Sequence, residues 1–349
     1  MTDDTAHKVS DRLQDEASHF QKLPQAQNAE HFQDHVGISI WAKAGEVDIF
    51  FGATMYHVGG RKWGFDDGAL NQTYLLITPT GDRTMGDNAF VANRMDPARR
   101  FDFKESVEHD KVIWQAGNRE VTFSPPVWEV KGEHFGVDLD LKLTGIGDAV
   151  PYHGTWDGLV EHGVAGNEVL CQAQGSCTYN GKTYTLDSGW GVRERTCLGH
   201  QHDVPSLLGT GSGYFWSWTF SEEIKIFYFS QGGSGHSAGR VFLDGRIIDF
   251  EAQQTVSETL ETWTDPLTHE TQVTRMRIGM KSDQGELELE VNTWTRLLFG
   301  FHLLEAYTTH TGKCGRAKGQ FTFPDGRVIT IDESLCYIEH GFATPMVAA

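Results

Sequence analysis

Asp138-Leu139-Asp140-Leu141-Lys142-Leu143 alternates strictly between polar and apolar residues, and Glu286-Leu287-Glu288-Leu289-Glu290-Val291 repeats the pattern later in the chain. Successive side chains of a strand point to opposite faces. This period of two therefore predicts antiparallel strands with one buried and one solvated face. Helical patterns of useful length are absent after the first 35 residues, although residues 295–306 are compatible with a weak helix or a strand. We therefore expect an all-β fold.

Tight hairpin turns are marked by Asn180-Gly181, Asp244-Gly245 and Asp325-Gly326, each flanked by strand-forming residues. Such dipeptides suit the positive φ angles of two-residue hairpin turns. Residues 242–248 and 323–329 are alike, and we interpret the likeness as shared hairpin chemistry rather than as a repeat. Many strands joined by turns, without crossover helices, indicate a sandwich or a barrel.

The length of 349 residues predicts two barrels, since one barrel of this kind uses about 150–180 residues. The best boundary is the segment with Pro205 and the clustered glycines of 209–213, because a new strand follows it at 214–220. We expect an N-terminal arm or short helix over residues 1–35. A lipocalin-like barrel over 36–205 and a second over 206–349 complete the predicted organisation.

The chain is acidic, with a formal net charge of −19 and a pI near 5.2. This charge argues against nucleic acid and anionic membranes as partners. Five cysteines without a CxxC pair, and an N-terminal region without an apolar run, favour a reducing cytoplasm over secretion. No apolar run approaches the roughly 18–20 residues of a membrane helix. The sequence leaves open whether the chain forms a homodimer.

The segment Gly189-Trp190-Gly191-Val192-Arg193-Glu194-Arg195-Thr196-Cys197-Leu198-Gly199 places an arginine beside a carboxylate. Neighbouring strand residues point to opposite faces, so Arg193 and Glu194 share a cavity only if the flanking glycines support a bulge. In an apolar cavity, desolvation would raise the pKa of Glu194 and make it a general acid. The alternative is an Arg193–Glu194 ion pair that ties the two domains together.

This segment and its surroundings resemble the middle of the hydroxyneurosporene-synthase/AttH-like proteins, double-lipocalin proteins that include carotenoid 1,2-hydratases. The resemblance covers roughly residues 120–345. The family motif is similar to G-x-G-x-R-[DE]-H-[ST]-W-G, with Arg195 in place of the usual histidine and Cys197 in place of the usual tryptophan. The residues that carry the resemblance are Glu161-His162-Gly163, Gln174-Gly175, 180–184, Gly189, Gly191, Arg193, Glu194, Thr196, 239–245 and Ile338-Glu339-His340-Gly341.

The resemblance implies two packed lipocalin-like barrels with a cavity for one hydrophobic ligand. Relatives with known activities are hydratases, isomerases and pericyclases that act on isoprenoid or polyketide-like substrates. Such reactions need an apolar cavity, a placed acid and sometimes a base. We therefore expect no cofactor.

Three further residues are candidates for acid–base catalysis in addition to Glu194. Asp157 and His162 could act as acid and base near one cavity, although Asp157-Gly158 is also typical turn chemistry and Glu161–His162 could be a surface pair. Tyr228 lies in an aromatic strand, and its hydroxyl needs a partner if buried.

The candidates for substrate contact are aromatic residues and histidines. Aromatic rings can stabilise a carbocation in a cavity, although they more often form core. Two histidines at 200 and 202 share one side of a strand, but no carboxylate follows them, so we predict no metal site. The substrate-binding candidates are Arg193, Trp190, Trp216, Trp218, His200, His202 and His236.

Three functions remain open. The first is a cofactor-independent lyase or isomerase in which Glu194 transfers a proton, with His162 or Tyr228 as its partner. The products would arise by hydration, double-bond migration or ring closure of a hydrophobic substrate. The second is a non-catalytic lipocalin-like binding protein. The third is a metal-dependent enzyme that uses His200 and His202.

Overall fold

The computed structural model is almost entirely β, as the alternating patterns predict. The only α-helix among the described residues is Leu159–His162, and the short 3-10 turns there are Leu13–Asp15, Trp156–Gly158 and Ala252–Gln254. The structure describes residues 12–20, 32–60, 63–80, 92–95, 99–151, 154–199, 213–231, 236–243, 245–266, 269, 271–295, 297–303 and 306–345.

The first of two compact units is a curled antiparallel sheet of 14 strands. Its first strand, β1, pairs with both β2 and the last strand, β14, so that the beginning and end of the unit lie side by side. The strands are β1 (Phe32–Ala44), β2 (Val47–Gly60), β3 (Phe65–Pro79), β4 (Ala92–Met95), β5 (Arg99–Phe101), β6 (Phe103–Val107), β7 (Val112–Ala116), β8 (Arg119–Ser124), β9 (Val127–His134), β10 (Val137–Gly145), β11 (Val150–Pro151), β12 (Val164–Tyr179), β13 (Lys182–Thr185) and β14 (Ser188–Gly199).

The second unit is a curled antiparallel sheet of 10 strands with the same closing arrangement, in which β15 pairs with both β16 and β24. Residues 295–306, whose sequence was compatible with either a weak helix or a strand, contain a strand. The strands are β15 (Tyr214–Phe220), β16 (Ile224–Gln231), β17 (His236–Leu243), β18 (Arg246–Phe250), β19 (Thr255–Thr264), β20 (Thr271–Ser282), β21 (Gly285–Thr293), β22 (Leu297–Leu303), β23 (Ala306–Thr322) and β24 (Val328–Pro345).

Each unit has its own hydrophobic core on one face of its sheet, which we call the inner face. In β10 the three leucines of the alternating pattern are buried in this core, and the polar residues between them are exposed. In β21 of the second unit, the apolar residues of the alternating pattern are likewise buried in the core. The predicted faces of both alternating segments are therefore confirmed.

Part of the N-terminal region is packed against the first core. Residues 12–20 contain a 3-10 turn, and Asp15 and Glu16 are only 5% and 1% exposed. Leu13 and Ala17 contact the first core. This part of the predicted arm is therefore ordered against the sheet, and β1 already begins at Phe32. No helix among the described residues has the length and apolarity needed to cross a membrane.

Gly175 allows β12 to approach β10 closely, and we expect its replacement by alanine to destabilise the first unit. Its φ is +124°, and an added Cβ would lie 2.0 Å from the carbonyl oxygen of Asp140. Gly181 is the matched control, because its φ of +75° is also left-handed but an added Cβ meets nothing within 4 Å. Urea unfolding should show Gly175→Ala to be at least about 1 kcal/mol more destabilising than Gly181→Ala. Equal losses would contradict this account.

All five cysteines are free thiols, and all except Cys314 are buried. Burial raises the pKa of Cys171 to about 12, and the same effect raises the pKa of Cys177 to about 12. Because the thiolate is the reactive form, we expect both thiols to react with a thiol reagent near pH 8 at least about 100-fold more slowly in the native protein than after unfolding. Mass spectrometry of labelled peptides gives the measurement, with Cys314 as the partly exposed comparison. Fast native labelling of Cys171 would refute the prediction.

Candidate functional site

The strand β14 carries the Arg193-Glu194-Arg195 segment without a bulge. Its register with β1 and with β12 is continuous from residue 189 to 198. Arg193 and Arg195 therefore point to the inner face, beside the core residues of β1, and Glu194 points to the opposite, outer face. The two neighbours do not share a cavity, and the bulge that the flanking glycines would allow does not form.

On the inner face, the two arginines form buried ion pairs with acidic residues. The Arg193 side chain is 1% exposed, and its Nη2 lies 2.9 Å from Glu16 Oε1. Nη1 of Arg195 donates a hydrogen bond to Asp34 Oδ1, and its Nη2 donates one to the carbonyl oxygen of Ala17 at 3.1 Å. The partner of Arg193 is thus Glu16 of the N-terminal segment rather than its neighbour Glu194.

Tryptophan rings also contact the two guanidinium groups. The Arg193 guanidinium lies 4.8 Å from the ring centre of Trp128, and that of Arg195 lies 4.6 Å from Trp114 and 5.3 Å from Trp156. Burial lowers the pKa of Arg195 to about 10, an effect that nearby Glu16 partly opposes, so the guanidinium stays charged at neutral pH. Because the cluster is paired and enclosed, we expect the removal of one partner to destabilise the first unit.

On the outer face, Glu194 forms a dyad with His35 of β1. The distance from His35 Nε2 to Glu194 Oε1 is 3.2 Å, and the Glu194 side chain is 31% exposed. Thr196 Oγ1 donates a hydrogen bond to the same carboxylate oxygen at 3.4 Å. Gly37 is directly opposite Glu194 in the register, and an added Cβ there would lie 3.1 Å from Glu194 Oε2. The glycine therefore leaves room beside the second carboxylate oxygen.

The second ring nitrogen of His35 faces an amide. Gln33 Nε2 lies 3.3 Å from His35 Nδ1, and the ring of Tyr56 lies 5.1 Å from the imidazole. An amide nitrogen only donates, so a neutral imidazole accepts at Nδ1 and carries its proton on Nε2, which faces Glu194. With a neutral imidazole, the dyad therefore contains a hydrogen bond from His35 Nε2–H to the Glu194 carboxylate.

The other predicted acid–base residues lie elsewhere. The side chain of His162 is 64% exposed, and its Nε2 is 3.9 Å from Glu161 Oε2. Asp157, 79% exposed, pairs with Arg12 at 2.9 Å beside the predicted Asp-Gly turn. Tyr228 is buried in the core of the second unit. His35, which no motif singled out, is the imidazole that reaches Glu194.

The predicted substrate-contact residues lie in several different environments. Trp218 is fully buried among the rings of Phe220, Phe227 and Phe242, so it has a core environment. Trp216, which contacts Tyr337, and Trp190, opposite Trp41 in the register, are partly buried. His236 is placed only by its backbone at the start of β17. His200 and His202 lie outside the described residues.

The described part of the chain contains no candidate metal site. No group of three or more histidine, cysteine, aspartate or glutamate side chains there has an arrangement suited to a metal ion. A cavity of about 220 Å³ does open in the first unit, but it contains none of the predicted site residues. It is lined by Phe101, Gly117, Asn118, Glu133, His134 and Phe135.

A second polar cluster surrounds Glu339 in β24. Its Oε1 lies 3.2 Å from His310 Nδ1, and its Oε2 accepts a hydrogen bond from the Tyr337 hydroxyl at 3.1 Å. The Tyr214 hydroxyl also donates to Oε1. Burial by itself raises the pKa of Glu339, but the hydrogen bonds from His310 and the two tyrosines outweigh this and hold the pKa below its usual range. The carboxylate is therefore ionised at neutral pH. In the sequence, the only feature that pointed to Glu339 was the Ile338-Glu339-His340-Gly341 segment of the family resemblance.

The two curled antiparallel sheets define a double-lipocalin fold, as the resemblance implied. A protein of Nitrosomonas europaea described as an AttH aligns with a TM-score of 0.57 at 12% identity, over 97% of this chain and 98% of that chain. CghA in complex with Sch210972 aligns with a TM-score of 0.56 at 10% identity, over 91% of this chain and 90% of that chain. No family model and no curated protein sequence matches the chain. The structural likeness at these identities concerns the fold alone.

Proposed function

We propose that the protein is a cofactor-independent lyase or isomerase that transfers a proton to and from a hydrophobic small molecule. The observation that carries this proposal is the Glu194–His35 dyad, with its 3.2 Å contact and a carboxylate that is 31% exposed. A partly exposed carboxylate can meet a ligand, whereas the paired and enclosed Arg193 and Arg195 on the other face cannot. Arg193 therefore has a structural role in this proposal.

The chemistry begins at Glu194. In its protonated form the carboxyl group donates a proton to an alkene carbon, and the positive charge develops on the neighbouring carbon. Water addition then gives a hydratase product, loss of a different proton gives an isomerised alkene, and attack by a second double bond closes a ring. The Glu194 carboxylate left by this transfer accepts a hydrogen bond from His35 Nε2–H, and it takes up the proton that the added water or the carbocation releases, which restores the acid. General acid–base catalysis of this kind contributes about 100- to 10,000-fold in rate.

The substrate class is proposed from the fold and from the motif resemblance. CghA, which has the same fold, has been solved with Sch210972. The family that the central segment resembles acts on isoprenoid or polyketide-like molecules. A hydrophobic molecule of one of these classes, with an alkene that can be protonated, fits the proposed chemistry.

The test is turnover of a panel of terpenoid and polyketide-like alkenes by the full chain, followed by mass spectrometry. The protein is dialysed against a chelator and assayed without added cofactor. A product of unchanged mass, or one heavier by a single water, is the expected result. Stoichiometric binding without any product across the panel would instead favour the non-catalytic binding protein and overturn the proposal.

A further inference from the structure

The cavity of about 220 Å³ in the first unit lies beside two hairpin turns. Gly117-Asn118 joins β7 to β8, and Phe135-Gly136 joins β9 to β10. Three of the lining residues are exposed, so a ligand can enter from the solvent: Gly117, Asn118 and Glu133. Pockets for drug-sized ligands have volumes of about 300–1,000 Å³. This cavity therefore has room for a small ligand.

Three aromatic rings line this cavity, those of Phe101, His134 and Phe135. The ring centre of His134 lies 5.9 Å from that of Phe101, with an interplanar angle of 71°. It lies 5.0 Å from the ring centre of Phe135, with an interplanar angle of 79°. Rings at nearly right angles border a space from more than one side. Because the face of an aromatic ring attracts a cation, such walls suit a quaternary ammonium group.

Glu133 brings a carboxylate to the cavity, and none of the described lining residues is a lysine or an arginine. The backbone N–H of Gly136 donates a hydrogen bond to Glu133 Oε1, which holds the carboxylate beside the turn. Among the described residues, Glu133 forms no ion pair with a basic side chain. Arg119, at the start of β8, is 3% exposed, lines a different cavity and donates from Nη2 to the carbonyl oxygen of Val137 at 3.3 Å. The charge of Glu133, like the net charge of −19, therefore favours a cationic ligand.

The backbone of Phe135 gives independent support for a ligand at its ring. Its φ is +52°, a left-handed conformation in which a bulky residue is an outlier. The Asn180-Gly181 turn has nearly the same φ angles, +50° and +75° against +52° and +79°, and carries the asparagine that suits this position. Stability alone thus favours asparagine at residue 135. Bulky residues in strained conformations occur preferentially at ligand and active sites.

We propose that this cavity binds the quaternary ammonium group of a small organic cation. The three aromatic rings contact the N-methyl groups, and the Glu133 carboxylate balances the charge. The inference goes beyond the proposed function, since neither Glu194 nor His35 lines the cavity.

Isothermal titration calorimetry of the full chain tests the proposal with choline and with 3,3-dimethyl-1-butanol, which has the same shape but no charge. We expect choline to bind at least about 10-fold more tightly than the neutral alcohol, because only the cation is attracted by the rings and the carboxylate. The affinity for choline should fall with added salt. Equal affinities, or no binding of choline, would overturn the proposal.

Glu133→Gln should weaken choline binding by about 5-fold or more, because it removes the charge but keeps an oxygen that accepts the hydrogen bond from Gly136. Its matched control is Glu129→Gln, a change of the same charge on the same strand at a residue that does not line the cavity. The control should bind choline like the wild type. Equal affinities of the two variants would contradict the role of Glu133.

Phe135→Asn should weaken choline binding by about 2- to 30-fold, the contribution of one aromatic contact to a cation. Its thermal unfolding midpoint should be no lower than that of the wild type, since asparagine suits the left-handed position. The reverse change in the other turn, Asn180→Phe, should lower the midpoint and leave choline binding unchanged. Wild-type affinity in Phe135→Asn would show that the ring does not contact the ligand.

Two further measurements define the scope of the site. Glu194→Gln should bind choline with wild-type affinity, which separates this inference from the proposed function. Sedimentation with phosphatidylcholine vesicles distinguishes a free ligand from a lipid head group, which carries the same quaternary ammonium group. We expect no sedimentation of the wild type with the vesicles. Sedimentation that choline reverses would support the same site with the lipid as its ligand.

Discussion

Arg195→Met is expected to lower the free energy of unfolding of the first unit by about 3–5 kcal/mol. The substitution keeps an unbranched apolar chain but leaves the Asp34 carboxylate, which is fully buried, without its guanidinium partner. The backbone carbonyls of His35 and Ala17 also lose a donor. Urea unfolding followed by tryptophan fluorescence gives the measurement, because Trp114 and Trp156 lie against the guanidinium group.

The matched control is Arg277→Met in the second unit. Arg277 Nη1 lies 2.6 Å from Glu258 Oε2, but both side chains are more than half exposed, at 56% and 59%. Solvent screening limits such a pair to about 0–1 kcal/mol. A double variant that also replaces Asp34 by leucine should recover part of the loss, since it removes the uncompensated charge. If Arg195→Met costs no more than Arg277→Met, the cluster does not stabilise the first unit.

Glu194→Gln is expected to lower kcat by about 100- to 10,000-fold while the protein still folds and binds ligand. Glutamine has nearly the same shape as glutamate and can still accept the hydrogen bond from Thr196, but it cannot transfer a proton. The measurement is steady-state turnover of the substrate found in the alkene panel, together with ligand affinity and the thermal unfolding midpoint. His35→Gln should also lower kcat, because it removes the Nε2–H group that faces the carboxylate.

Glu129→Gln provides the comparison for the charge change alone. Its side chain is 39% exposed, similar to that of Glu194, and its carboxylate lies 3.7 Å from Lys131 Nζ rather than beside an imidazole. This variant should keep the wild-type kcat. A Glu194→Gln protein with unchanged kcat, or a loss that follows reduced ligand affinity alone, would remove Glu194 from the chemistry.

The faces of single strands could be predicted from the sequence because they depend on local alternation. The leucines of β10 are buried, and Arg193 and Glu194 lie on opposite faces, as a regular strand requires. Asp157 lies in the 3-10 turn Trp156–Gly158, which is also a local element. The closure of the strands into two lipocalin-like units was predicted from the family resemblance, because the alternation of apolar and polar residues does not specify which strands pair.

The partners of the central segment could not be predicted in this way. His35 and Gly37 meet Glu194 because β1 pairs with β14, and the register between strands far apart in sequence leaves no local pattern. Glu16, the partner of Arg193, comes from a segment for which the sequence predicted only an arm or a short helix.

Deuterium transfer from solvent tests the central claim most directly. Wild type, Glu194→Gln and Glu129→Gln are incubated in D₂O with the alkene that is turned over, and the product is analysed by mass spectrometry and NMR. Our account predicts one deuterium at the protonated carbon with wild type and Glu129→Gln, and a rate of incorporation with Glu194→Gln that is lower by about 100-fold or more. Product without carbon-bound deuterium, or equal incorporation by Glu194→Gln, would contradict proton transfer by Glu194.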